Sequence, residues 1–364
     1  MKRLIATLSL VCFSYTSLAC TAVNMTAKDG SVIAGRTMEW AFDMKWSLAS
    51  IPQGSKLKLS APSATGLPDI QLMSKYALVG VFPAVIPNTT ALLEGQNSAG
   101  LGMSGNFLPG FTQYQTVQSQ DKYYVSILDF GGFALGMFAN VAELRSELPK
   151  YKVWYDASLP SGPTPPWLHF VFTDRSGASI VVEFVKGNMV IHENQSGVLT
   201  NAPTYDWHLL NLRNYLNLSK QGPGPALVNG KNVTELGEGG GLLGLPADYT
   251  PASRFVRASF LRHFATPANT AVDGTQLMGH ILNNVDIPIG VAQSKDGEQT
   301  VSDYTQFVAI KDLSNNQLHI TNYANRTNYV KIDLNMIFES AKPMTWAVDT
   351  LPYQTNDIST QLLK

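Results

Sequence analysis

Two of the 364 residues are cysteines, and the second, Cys20, stands where a cleavable leader would end. Lys2 and Arg3 make a positive start, residues 4–15 an apolar stretch, and Ser17 and Ala19 supply the small residues wanted three and one positions before a cut. Cleavage after Ala19 removes Cys12 and leaves Cys20 as both the first residue and the sole thiol, so no internal disulfide can form. Two chemistries fit a cysteine so placed. One is lipidation and membrane anchoring, although Ser17 occupies the position where such signals usually carry leucine. The other is nucleophilic catalysis. An α-amine titrates at about 7.7–8.0 and a thiol at about 8.5, so an amine on the same residue can take the thiol proton near neutral pH without a histidine.

The elements around Cys20 must hold its partners. Residues 20–25 and 31–39 read as strands, and Asp29-Gly30 between them is a hairpin signal. A two-residue turn there pairs Lys28 with Ser31 and, counting outward, Cys20 with Glu39, which sets a carboxylate beside the new amine. Arg36, an odd number of residues from Glu39, then falls on the other face unless a bulge or the strand end intervenes. A guanidinium near the thiol would favour the thiolate. Met38, Trp40, Phe42, Trp46 and Phe107 could line an apolar acyl pocket or simply fill core.

Farther along, the spacing predicts a helix over 128–148, strands over 167–174, 178–185 and 189–193, helices over Pro251–Phe264 and 273–284, and strands over 303–310, Gln317–Asn322 and 329–333. Two hairpin-rich sheets with intervening helices suggest an α/β layered domain. The Pro/Gly-rich stretches 159–166 and 237–246 read as surface loops, and no linker forces a second domain, so residues 20–364 read as one.

Composition excludes several classes. Without residues 1–19 there remain 24 basic and 27 acidic residues, a net charge of −3, with no basic stripe for nucleic acid. The six histidines are dispersed and show no metal-ligand spacing. The leader's apolar run is shorter than the roughly 20 residues a membrane span needs. The expectation is an exported, periplasmic or secreted protein.

Four segments carry a resemblance. Cys20-Thr21 is followed by Gly35-Arg36-Thr37-Met38-Glu39-Trp40; then come residues 94–107, ending in Gly105-Asn106-Phe107, then Leu199-Thr200-Asn201-Ala202-Pro203, then Leu245-Pro246-Ala247-Asp248 with Ser253-Arg254-Phe255. In this order they resemble the choloylglycine hydrolase family, the bile salt hydrolases and penicillin V acylases among the N-terminal-nucleophile hydrolases. The resemblance implies a four-layer αββα sandwich with Cys20 on a central strand, and hydrolysis of a linear amide C–N bond with no metal or organic cofactor. It implies Cys20 as nucleophile with its own amine as base, Arg36 beside the thiol, and Asn201 at the oxyanion. It further implies Arg254 in the catalytic cluster and Asn106 as an oxyanion or substrate contact. Met38 and Phe107 are taken as substrate-binding. Glu39 stands where the family usually has Asp, one methylene longer. The expected substrate is a small acyl amide of penicillin V, conjugated bile salt or N-acyl homoserine lactone type, and the expected assembly a homotetramer. The competing reading is a lipid-anchored or soluble non-catalytic binding protein on the same fold.

Overall fold

The computed structural model describes residues 19–86, 91–160 and 166–362; of the expected leader only Ala19 is among them, and part of the 159–166 loop lies outside. Two antiparallel sheets face each other. In the first the strands run in the order Val198–Leu199, Cys20–Thr26, Val32–Trp40, Gln299–Asp312, Gln317–Asn322, Val330–Asp333, with Ala292–Asp296 paired to the start of the long fourth strand. In the second the order is Asn188–Glu193, Ser179–Val185, Leu168–Thr173, Gly102–Phe107, Glu94–Asn97, Leu78–Pro83, Trp46–Ile51, Met344–Ala347. All nine residues of Val32–Trp40 are buried, as expected of a strand covered on both faces.

One cover is the second sheet: Met38, Trp46, Phe107, Phe170 and Phe307 belong to the core between the sheets. The other is a helical layer, Pro251–Phe264 and Ala271–Asn283, whose Phe255, Met278 and Leu282 pack with Ala22 and Val308. Pro251 fits the first helical turn, where its missing N–H costs nothing, behind a Thr250 cap. Thr270 and Asp273 form a capping box for the second helix, which therefore begins before residue 273. Gly35 sets how closely that helix seats, because a Cβ there would lie 2.7 Å from Met278 Cγ. Helices Ile127–Met137 and Val141–Glu147 cover the second sheet with Phe130, Phe133 and Leu144. The layers are helix, sheet, sheet, helix.

Two expectations are corrected. The helix over 128–148 is two helices. Asn140 caps the second by accepting from Glu143 N at 2.9 Å, the Glu143 carboxylate takes Ala139 N at 2.8 Å, and Asp174 takes Val141 N at 2.8 Å. The hairpin register also differs by one. Ala27 N donates to Ser31 O at 2.8 Å and Gly30 N to Ala27 O at 3.0 Å, so the loop has three residues, with Gly30 at φ +88°. Cys20 therefore pairs with Met38, and Ala22 with Arg36.

Candidate active site

The one-residue shift reverses the two faces. Arg36 and Met38 share the side of Cys20, in the space between the sheets. Met38 Sδ lies 3.7 Å from Cys20 Sγ and 3.4 Å from Arg36 Nη2. Arg36 is wholly buried. Its Nη1 donates across the gap to Leu93 O at 2.9 Å and Gly105 O at 3.0 Å, and its guanidinium sits 5.9 Å from the Phe307 ring centroid. Burial pushes the Cys20 thiol above its ordinary value, while the Arg36 guanidinium pulls it down. Burial likewise lowers Arg36, and the cysteine opposes that. A guanidinium so placed favours a thiolate when one forms.

Glu39 lies on the opposite face, toward the helices. Thr305 Oγ1 donates to its Oε1 at 2.6 Å, and Oε2 is buried without a partner. The adjacent strand carries a register shift between Thr305 and Phe307. Asp303, two residues before Thr305 and hence on the same face, is also buried, with Oδ1 unpartnered. Burial pushes both carboxyls up to about 7, with Arg254 opposing it in each case. Their folded values exceed the unfolded ones, so folding favours the protonated forms. That stabilisation is complete below about pH 4 and is lost as pH rises through about 7. The unfolding midpoint of the chain with Ala19 still attached is therefore expected to fall by several degrees between about pH 4.5 and 7.5. Glu39→Gln should flatten part of that fall; an unchanged slope in a thermal melt series would contradict the assignment.

A second buried guanidinium organises the cysteine backbone. Arg254, in the first turn of Pro251–Phe264, donates from Nη1 to Cys20 O at 2.6 Å and Thr21 Oγ1 at 2.7 Å. Its Nη2 donates to Asn201 Oδ1 at 2.7 Å and its Nε to Tyr249 O at 2.9 Å. Asn201 Oδ1 also accepts from Cys20 N at 2.7 Å. Two donors on one oxygen fix which end of the amide is which. Asn201 Nδ2 then gives one hydrogen to Phe107 O at 2.9 Å and keeps a second. Among the described residues neither Arg36 nor Arg254 forms a close ion pair. Such a site is preorganised for negative charge that develops during a reaction.

Asn106, expected as an oxyanion or substrate contact, lies on the strand Gly102–Phe107. Its Nδ2 hydrogens go to Leu199 O at 3.1 Å and Thr200 O at 2.8 Å, and its buried Oδ1 has no partner. It offers an acceptor, and no donor for an oxyanion. Phe107 contributes its carbonyl to Asn201, while its ring packs edge-on to Trp40 with centroids 5.1 Å apart.

The structure thus brings Cys20, Arg36, Met38, Glu39, Asn106, Phe107, Asn201 and Arg254 into one region. Sequence reasoning missed Thr305 and Asp303, which follow no local motif. It also assigned no role to His169 and His208. Both are buried, and they bond the carbonyls of Thr200, at 3.1 Å, and Asn201, at 2.9 Å.

Known proteins resemble this chain over most of its length. Residues 20–345 match the model of the linear amide C–N hydrolases, choloylglycine hydrolase family. The chain is similar to the bile salt hydrolase/transferase of Clostridium perfringens, 30% identical over 80% of this chain and 86% of that one. It is also similar to the penicillin V acylase of Pectobacterium atrosepticum, 28% identical over 77% of this chain and 70% of that one. Among solved structures, a variant of the conjugated bile acid hydrolase from Clostridium perfringens superposes with a TM-score of 0.77 at 29% identity, covering 90% of this chain and 97% of that one. A buried cysteine, its carbonyl held by one guanidinium and its side chain on the same sheet face as another, lies on an inner strand of a two-sheet sandwich; with a family match over nearly the whole chain beyond Ala19, the chain belongs to the choloylglycine hydrolase family of linear amide C–N hydrolases.

Proposed function

We propose that this hydrolase is exported, that removal of residues 1–19 frees the Cys20 amine, and that Cys20 is the nucleophile acting on an N-acyl amide. The observation that carries the reading is the pair of contacts on Cys20: its nitrogen on Asn201 Oδ1 and its carbonyl on Arg254. These fix the backbone of the residue that must hold base and nucleophile together. The family match begins at the same residue.

The amine takes the thiol proton and the sulfur attacks the carbonyl carbon, forming a C–S bond and an oxyanion. The free hydrogen of Asn201 Nδ2 is the donor for that oxygen. Arg36 balances the charge on sulfur. The C–N bond breaks as the ammonium returns its proton to the leaving amine. Water then hydrolyses the thioester, restoring the thiol and releasing the acid. Asn106 Oδ1, the unpartnered acceptor, suits a substrate N–H. Glu39, with one carboxylate oxygen unpartnered, suits the new ammonium.

Substrates are acyl amides in which an apolar acid joins a small polar amine, as in penicillin V, conjugated bile salts or N-acyl homoserine lactones. The edge-on aromatic rings of Trp40, Phe42 and Phe107 supply an apolar wall. A panel of these three amide classes, assayed with wild type and Cys20→Ala, tests the reading. Turnover of at least one class is expected, and its disappearance in the variant. Turnover that survives Cys20→Ala sinks the nucleophile assignment. The same preparation tests export and assembly: its intact mass should begin at an unmodified Cys20, and its mass in solution should be that of a homotetramer. The hairpin Ala226–Val228 with Lys231–Val233, every residue of it exposed, supports assembly by presenting Leu227, Val228 and Val233 to a second copy.

A further inference from the structure

We infer that His169 and Glu183 form a positioning pair that holds Asn201 in its working orientation from the opposite sheet. The inference rests on the oxyanion role proposed for Asn201. Neither residue belongs to a segment that carries the family resemblance, and neither touches Cys20.

Asn201 follows the shortest strand of the first sheet, Val198–Leu199, which pairs only through Ala22 and Val23. Two residue pairs are too few to fix the chain beyond them. What fixes it comes from the second sheet. His169 lies on Leu168–Thr173, opposite Asn106 on Gly102–Phe107, and both side chains reach the same atom. His169 Nε2 is 3.1 Å and Asn106 Nδ2 2.8 Å from Thr200 O, the carbonyl of the peptide that leads into Asn201. Both lone pairs of that oxygen are engaged. His208 Nε2 holds the next carbonyl, Asn201 O, at 2.9 Å.

Behind His169 stands Glu183, from Ser179–Val185. Its Oε1 is 3.0 Å from His169 Nδ1 and accepts Tyr205 N, also at 3.0 Å. One carboxylate oxygen thus ties the ring to the start of the helix Tyr205–Asn211, four residues past Asn201. Burial pushes the Glu183 carboxyl up, yet the hydrogen bond from His169 and the nearby His192, 3.6 Å from the other oxygen, overcome this and hold it down to about 2, so it is an ionised acceptor. A carboxylate on one ring nitrogen and a carbonyl on the other leave no acceptor role for either. Both ring nitrogens thus face acceptors, and the geometry sets each to donate. A buried histidine–carboxylate pair is an expensive element to place in a core. Here it carries a rigid link from the second sheet, across the gap, to the peptide that aims Asn201. Hydrogen bonds to a charged acceptor such as Glu183 are shorter and about twice as strong as neutral ones, which suits a part that must not drift. A displacement of about 1 Å in a catalytic donor can cost on the order of 100-fold in rate.

The test compares wild type, Asn201→Ala, His169→Ala and Glu183→Gln. The measurements are kcat, KM for a turned-over acyl amide, the alkylation rate of Cys20 by iodoacetamide, and the ¹H–¹⁵N spectrum of ¹⁵N-histidine-labelled wild type at pH 7. His169→Ala is expected to lower kcat by about 10- to 100-fold, with KM and the alkylation rate each within about threefold. Glu183→Gln, which keeps the carbonyl that receives Tyr205 N, should fall between it and wild type. A general loss of structure would move alkylation and KM as well. In the wild-type spectrum one slowly exchanging ring should show two N–H protons. If Asn201→Ala lowers kcat while folded His169→Ala and Glu183→Gln stay within threefold of wild type, the positioning pair is wrong and the Asn201 role stands. If Asn201→Ala itself leaves kcat unchanged, the proposed oxyanion role fails first. Should the histidine variant not fold, Glu183→Gln and the wild-type spectrum still decide, because a ring with a single N–H overturns the arrangement.

Discussion

A protein beginning at Cys20 should hydrolyse its acyl amide at least about 100-fold, and up to about 10⁴-fold, faster than the same protein with a short peptide left ahead of Cys20. That range is what a positioned general base contributes. With Ala19 attached, the nitrogen on Asn201 Oδ1 at 2.7 Å is an amide nitrogen, whose lone pair is delocalised into the peptide bond and takes no proton. Nothing else near the thiol replaces it. Arg36 stays protonated at any relevant pH, Met38 presents a thioether, and the unpartnered oxygen of Glu39 lies on the far side of the strand. Cleavage changes the chemistry of one atom while its hydrogen bond can persist. Paired rate measurements on the two forms settle the matter, with Cys20→Ala as the blank. Equal rates would show that the Cys20 amine is not the base.

The second large effect is expected at Arg254. Replacement by Met keeps much of the volume but leaves Cys20 O, Thr21 Oγ1, Asn201 Oδ1 and Tyr249 O short of a donor. Leaving a buried acceptor without its donor typically costs about 1–3 kcal/mol, so the denaturant midpoint should drop clearly. Turnover should fall by about 10²–10³, because Asn201 loses the contact that orients its amide. Lys at this position should rescue little, since one ammonium cannot span acceptors arranged around a planar fork. Equilibrium unfolding and kcat on Arg254→Met and Arg254→Lys check both parts. A lysine variant with wild-type turnover would show that charge alone, without the fork, is what the site requires.

Much of the frame was legible because it is written in local periodicity. Pro251–Phe264 could be read residue for residue from Pro251 and the spacing of Phe255, Ala258 and Leu261. Strands Ser179–Val185 and Gln317–Asn322 followed from alternation and the turns beside them. The register of the first hairpin was not legible. Asp29-Gly30 suits a two-residue turn, and Gly30 equally suits the left-handed position of a three-residue loop. One residue of slip decides whether Arg36 or Glu39 faces the thiol. The break in the helix over 128–148 was present in the sequence as Asn140 and Glu143, a cap with a reciprocal acid, but the apolar spacing ran through it. Asp303, His169 and Glu183 lay beyond local reading altogether. Thr200 sits 31 residues from His169, and Arg254, whose charge acts on Asp303, lies on a helix that precedes it in the chain. No short motif records such pairs.

The start of the strand Cys20–Thr26 lies in the interior, 2% exposed at Cys20, and is surrounded by residues drawn from near positions 36, 106, 201 and 254. Each neighbour arrives from a different stage of synthesis. On the site proposed above, no early fragment can assemble a working centre. The same placement bars circular permutation through this end, and it sends affinity tags and fusion partners to the carboxyl terminus, where residues 352–362 are largely exposed.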